Sequence, residues 1–235
     1  MSGVVEQGEK LIELGVAGLA GRNVDDFREL VHDAAAASRA VAPLLVVHPS
    51  LVPAADLATR LERHGKPGFV VTDMTDLADF TPIDGVVVPE TRLYVIDAVD
   101  RGDELRNRSP AEALPVITGA GRRPLTVSEG ICWLLQEPHQ LQQNHCFMTI
   151  GSRKPRASGT GWDARTPAIW ISGGTGRDGT ENTDAPKVGW CWHIGFSGLW
   201  GCCVMVHMTS DARYQAERCY IEQGSALTGE NPPNG

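Results

Sequence analysis

An α/β or α+β fold is what this chain predicts: a small mixed sheet with a parallel βαβ start and flanking helices. Short apolar runs of strand length recur at 44–47, 68–72, 93–96, 146–150, 168–171 and 188–194. Helical periodicity and capping residues fall between several of them. Residues 44–72 read strand, helix, strand, the usual signature of a parallel pair joined by a right-handed crossover.

The elements follow in order. Gly8 to Leu19 reads as a helix through Leu11, Ile12 and Leu14, weakened by Gly15 and Gly18. Asn23 is a good N-cap for a second helix, with Asp25, Asp26 and Glu29 placed where the dipole favours acids. Phe27, Leu30, Val31 and Ala34 give that helix its apolar face. Leu44 to Val47 is a buried strand, Pro53 opens a helix from Ala54 to His64, Gly65 stops it, and Gly68 to Thr72 is the next strand. Asp73 to Phe80 reads as an acidic loop or single helical turn. Val86–Val88 and Leu93–Ile96 read as strands, and 97–108 as a charged surface loop. Ser109-Pro110-x-Glu112 and Thr126-x-x-Glu129 are helix starts, the first cut short by Pro115 and the second ended by Pro138. Residues 141–144 read as a further turn. Cys146–Ile150, Ala168–Ile171 and Val188–Ile194 read as strands, with irregular polar loops at 151–166 and 173–186. The expected organisation is one domain over 1–223 and a disordered tail over 224–235.

Composition narrows the class. The chain has 235 residues, 42% of them apolar and 21% charged, which is ordinary globular usage. Its longest apolar run, 40–47, is far below the roughly 20 residues of a membrane-spanning helix. Residues 1–7 lack the basic and apolar regions of a secretory signal, so a cytoplasmic protein with mostly reduced thiols is expected. A net charge of −8 argues against nucleic-acid or anionic-membrane partners, which rely on a basic surface. The imbalance sits in residues 1–110, at −7, while 111–235 carries −1. In that second part cations cluster at Arg122 and Arg123, at Arg153, Lys154 and Arg156, and at Arg165, Arg177 and Lys187, so a small anionic ligand is the partner to consider. All six Cys and all six Trp fall after residue 131, which places any chemically loaded site in the second half.

Four motifs carry residue types suited to chemistry. Gly174-Thr175-Gly176-Arg177-Asp178-Gly179 matches G-x-G-x-x-G after a strand. No apolar helix face follows to present its N-terminus to a pyrophosphate, so a connecting loop is the favoured reading. Cys146, Cys191 and His193 are weak metal candidates, because no C-x-x-C occurs, and inert thiols are the commoner outcome. Cys146 as a nucleophile finds no local base, since Asn144 and His145 alternate in direction with it on a strand. The acidic sets Asp97, Asp100, Asp103, Glu104 and Asp73, Asp76, Asp79 fail the calcium-loop spacing and read as solvated turns.

Several stretches together resemble an actinobacterial family known only as a domain of unknown function, number 5701. They are Lys66-Pro67-Gly68-Phe69, Asp73-Met74-Thr75-Asp76, Asp100-Arg101-Gly102, Arg123-Pro124-Leu125-Thr126, Asn144-His145-Cys146-Phe147, Trp170-Ile171-Ser172 and Ala185-Pro186-Lys187-x-Gly189-Trp190-Cys191-Trp192. The resemblance covers about residues 10–192. It implies a bacterial cytoplasmic protein and brings no activity, cofactor or catalytic residue. After Trp192 the sequence leaves the pattern. A divergent or frame-shifted C-terminus is therefore expected, under which Cys202, Cys203, His207 and Cys219 belong to no ancestral site.

The functional expectation is a small-molecule enzyme or binding protein whose pocket gathers Asn144, His145, Arg153, Trp170, Arg177, Asp178, Lys187, Trp190 and Trp192. Basic groups would hold an anionic group and Trp faces would supply apolar contact. The alternative is a non-catalytic interaction module with Trp anchors. Burial separates the two: convergence of Arg177, Lys187 and His145 in a concave pocket favours the first.

Overall fold

The computed structural model describes residues 3–192, 204–206 and 208–209, with only the backbone at 177 and in the last two segments. In chain order the helices are α1 (Val4–Glu13), α2 (Val16–Leu19), α3 (Val24–Ala37), α4 (Ala54–Ala58), α5 (Pro110–Gly119) and α6 (Val127–Gln136). The strands are β1 (Pro43–Val47), β2 (Glu62–Arg63), β3 (Lys66–Pro67), β4 (Phe69–Val70), β5 (Thr81–Pro82), β6 (Leu93–Asp97), β7 (Arg123–Pro124), β8 (Cys146–Met148), β9 (Ser152–Arg153), β10 (Arg165–Ile171), β11 (Pro186–Trp192), β12 (Val204–Val206) and β13 (Met208–Thr209). The class is α+β. One five-stranded sheet runs β12-β8-β10-β11-β4, and four two-stranded pairs accompany it: β1-β6, β13-β7, β2-β3 and β5-β9.

The local start signals hold. The Asn23 side chain accepts from Asp26 N–H at 2.8 Å and opens α3. Ser109 with Glu112, and Thr126 with Glu129, form complete capping boxes on α5 and α6. The helix expected over 8–19 is broken in two, because Gly15 takes a left-handed φ of 76° between α1 and α2. The helix expected to reach His64 ends at Ala58. His64 and Gly65, both at positive φ, form the two-residue turn of the β2-β3 hairpin instead. Pro115 does not end α5. It sits on the helix's exposed side, where the carbonyl that loses its backbone partner can face solvent. Val86–Val88 is not a strand: Val86 is buried, while Val87 is exposed.

The strand–helix–strand stretch over 44–72 resolves differently from its expectation. β1 pairs antiparallel with β6 over five positions, while β4 pairs in parallel with β11, so the two strands join different sheets. An apolar run marks burial but carries no information on its partner.

The main core runs from Leu11 to Val188 and joins both halves of the chain. At its centre lies α6, all ten residues of which are buried. Gly130 lets it lie flat on the sheet, since a Cβ there would stand 2.5 Å from Thr149 Cγ2. A smaller core of Leu105, Ala113, Ile117, Cys146, Met148, Ile150 and Ala168 fills the sheet's other face beneath α5. Among the described residues, no helix is long and apolar enough to cross a membrane. The tail expected over 224–235 lies outside the described residues. So does the segment after Trp192, apart from the backbone of β12 and β13.

Candidate functional site

The register of β10 against β11 sorts the expected site residues onto opposite faces. Trp170 pairs with Lys187, Ala168 with Gly189 and Thr166 with Cys191 on one face; Arg165 pairs with Trp192 and Pro167 with Trp190 on the other. Trp170, Asp178 and Lys187 therefore come together, and Trp190 and Trp192 do not join them.

On the first face the Lys187 ammonium sits 4.7 Å from the Trp170 ring centre and 2.6 and 2.7 Å from the two Asp178 carboxylate oxygens. The Ser172 hydroxyl donates to the same carboxylate at 3.0 Å and accepts from Gly174 N–H at 3.2 Å. Asn182 donates to the Asp178 carbonyl. Lys187 and Asp178 are nearly buried, so their charges cancel at close range, and an anion reaching Lys187 has to displace Asp178. The glycine-rich stretch forms short 3₁₀ turns here rather than a helix start, consistent with a connecting loop. Gly174, at φ 66°, passes so close to Thr183 that any side chain would collide with it.

On the second face Arg165 makes a bidentate contact with Asp76, at 3.1 and 2.6 Å, and a second one with Asp163, at 3.1 and 3.0 Å. Lys154 bridges Asp76 and Asp79 at 2.8 and 2.7 Å. Phe80 lies under the Arg165 guanidinium, 5.4 Å from centre to centre. The Arg165 hydrogen bonds hold the Asp76 and Asp163 carboxyls below the usual carboxylate range, and the carboxylates in turn raise Arg165 and Lys154. The acidic triplet at 73–79 is thus partly an ion-pair partner for a loop some 80 residues on, which its spacing alone could not reveal. Trp190 and Trp192 form an edge-to-face pair at 4.8 Å on this face, with Trp192 53% exposed.

The remaining expected residues are scattered. Asn144 is an exposed turn residue at φ 58°. His145 contacts the Gln143 carbonyl at 3.0 Å. Arg153 is buried in β9 against the Asp163 carbonyl, and burial draws its pKa below the ordinary arginine value. The side chain of Arg177 and all of His193 lie outside the described residues. Cys146 and Cys191 meet with their sulfurs 3.8 Å apart. Among the described residues no three His, Cys, Asp or Glu side chains gather as a metal site. Asp100 and Asp103 of the other acidic set engage Arg122 and Arg101.

A concave site exists elsewhere. The turn at Ile83–Val86 and the exposed flank of α5 line an open cleft of about 340 Å³ together with Arg122, Arg123 and Pro124. Ile83, Val86, Leu114 and Pro115 supply apolar walls, with Thr118 and Asp84 as polar edges. Arg122 donates to the Ala98 carbonyl at 2.9 Å and has the Asp100 carboxylate 3.7 Å away. Arg123 is pinned from below. It forms a bidentate pair with Glu129, at 3.0 and 2.8 Å, and Glu129 has no exposed surface. Tyr94 and the Thr126 N–H complete the Glu129 shell at 3.2 and 2.7 Å. Sequence reading marked Arg122 and Arg123 as a cationic pair. It had no signal for the walls, because Ile83, Val86 and Leu114 come from a turn and a helix flank that only the fold brings together.

No curated protein and no solved structure matches the chain. Residues 10–196 match the model of a family described as a family of unknown function, DUF5701, and the chain belongs to that family.

Proposed function

We propose that this protein binds a small molecule with an apolar body and one anionic group, in the cleft between the 83–86 turn and α5. The observation that carries this reading is the lining: aliphatic and proline walls that run to Arg122. A guanidinium at the end of an apolar slot orients a carboxylate or phosphate, while the walls take the rest of the ligand. The cleft's size suits a compact metabolite, since ligand pockets span about 300–1,000 Å³. Asp100 stands 3.7 Å from Arg122, whereas the Lys187–Asp178 contact is closed at 2.6 Å. We place the protein in the cytoplasm.

Native mass spectrometry of freshly purified protein tests the reading. A bound organic mass that leaves on denaturation, and is lost in Arg122→Gln or Leu114→Glu, is the expected result. A bare mass in repeated preparations, with no thermal shift from a panel of small carboxylates and phosphates, refutes it. A second reading, a protein-interaction module, is favoured by the exposed Trp192 beside Trp190. Under it Trp192→Ala abolishes capture of a partner while the cleft variants do not.

A further inference from the structure

Cys146 and Cys191 are 45 positions apart and lie on strands that are not neighbours, since β10 runs between β8 and β11. Their side chains share one face. Ala168 pairs with Met148 on one side and Gly189 on the other, so Cys146 and Cys191 stand two residues beyond it in opposite directions. In a flat sheet that diagonal would keep them well apart. Coiling of the sheet folds the corners toward each other, and the 3.8 Å separation of the sulfurs shows that they touch. On this face Ala168 carries only a methyl group, and the Trp170 ring lies over the bare backbone of Gly189, where a Cβ would stand 2.7 Å from it.

The two thiols differ in access. Cys146 is 5% exposed, in the small core under α5, and Cys191 is half-buried near the end of β11. Cys132 is a contrast within the same chain. It is fully enclosed, accepts from Val47 N–H at 3.3 Å, and its thiol is pushed up to about 12 by burial.

We propose that Cys146 and Cys191 are a peroxide-responsive dithiol that closes to a reversible disulfide. The Cys191 thiolate attacks hydrogen peroxide, forming the S–O bond of a sulfenic acid as the O–O bond breaks and hydroxide leaves. The Cys146 sulfur then attacks the Cys191 sulfur, the S–S bond forms, and the S–O bond breaks with loss of water. The balance is two thiols and one peroxide to one disulfide and two waters. Thiol reductants reverse the bridge by exchange. The bridge ties β8 to β11 across β10, directly under α5. It is independent of any ligand in the cleft.

The test uses the full chain with stoichiometric hydrogen peroxide, alkylation under denaturing conditions and non-reducing peptide mapping. A peptide pair linked through Cys146 and Cys191, absent after dithiothreitol, with Cys132 fully alkylated, is expected. In Cys146→Ser, Cys191 should accumulate as a dimedone-trapped sulfenic acid. In Cys191→Ser, Cys146 should stay alkylatable after the same treatment. The proposal is overturned by Cys191 passing to sulfinic acid in the parent chain without a link, by Cys191 linking instead to another cysteine, or by Cys146 oxidising as fast in Cys191→Ser as in the parent.

Discussion

Replacing Glu129 by Gln removes one charge from a place without solvent and leaves the shape nearly unchanged. The carboxylate accepts two hydrogen bonds from Arg123, at 2.8 and 3.0 Å, one from Tyr94 and one from the Thr126 backbone, and has no exposed surface. An amide keeps a single acceptor oxygen. If that oxygen serves Thr126 and one Arg123 nitrogen, the new NH₂ faces the other guanidinium nitrogen, donor to donor. The Arg123 charge, itself almost buried, loses its Glu129 counter-charge. Breaking one partner of a buried pair typically costs about 3–5 kcal/mol, a large part of a domain's total stability. Urea unfolding followed by tryptophan fluorescence should show a midpoint lowered by that amount at an unchanged slope. The double variant Glu129→Gln with Arg123→Met should recover part of the loss, because neither charge is then stranded. A cooperative transition within about 1 kcal/mol of the parent, or strict additivity in the double variant, would show that the pair is not energetically coupled.

Three other perturbations test separate parts of the fold. Gly130→Ala gains up to about 1 kcal/mol of helix propensity, yet its methyl lands 2.5 Å from Thr149 Cγ2. A net loss of about 1–2 kcal/mol in urea, partly recovered by Thr149→Ser, is expected. Gln7 is buried on α1, accepting from Leu45 N–H at 2.7 Å and donating to the Pro43 carbonyl at 2.8 Å. Gln7→Ala strands both backbone groups, so a loss of about 1–3 kcal/mol and faster exchange of the Leu45 amide should follow. Asp76 has its proton affinity depressed in the fold by Arg165, so the unfolded chain takes up its proton first as pH falls. The stability this contributes is present above pH of about 4 and is lost as pH drops toward the folded value. Asp76→Asn should lower stability at neutral pH and flatten the decline measured by urea unfolding from pH 5 to 3; an unchanged acid slope would contradict it.

What could be read from the sequence was whatever a few neighbouring residues decide. Asn23, Ser109 and Thr126 each cap a helix with atoms three residues away, and all three were legible. Strand partners were not. β4 finds β11 more than 100 residues later through two register pairs, and nothing in Phe69-Val70 encodes that choice. The site expectation erred through parity. Lys187 and Trp190 lie three apart on one strand, so they face opposite ways, and a composition cluster became two surfaces. Asp178 with Lys187 was legible as chemistry but not as a closed pair. Arg165 was seen as a cation without the Asp76 and Asp163 carboxylates that neutralise it.

The seating of α1 has a consequence for synthesis. Its Lys10 donates to the Gln136 carbonyl, and the Gln136 amide donates back to the Gln7 carbonyl, so the first helix is fastened to the far end of α6. On the ribosome α1 emerges before any of that surface exists. Leu11, Phe27 and Val31, which end up wholly or almost wholly enclosed, can pack α1 against α3 early but reach full burial only once α6 has left the exit tunnel. Half-made chains therefore leave part of the greasy side of the N-terminal helices exposed. The demand on holding chaperones should stay high until translation has carried α6 clear of the exit tunnel and fall once α6 can reach them.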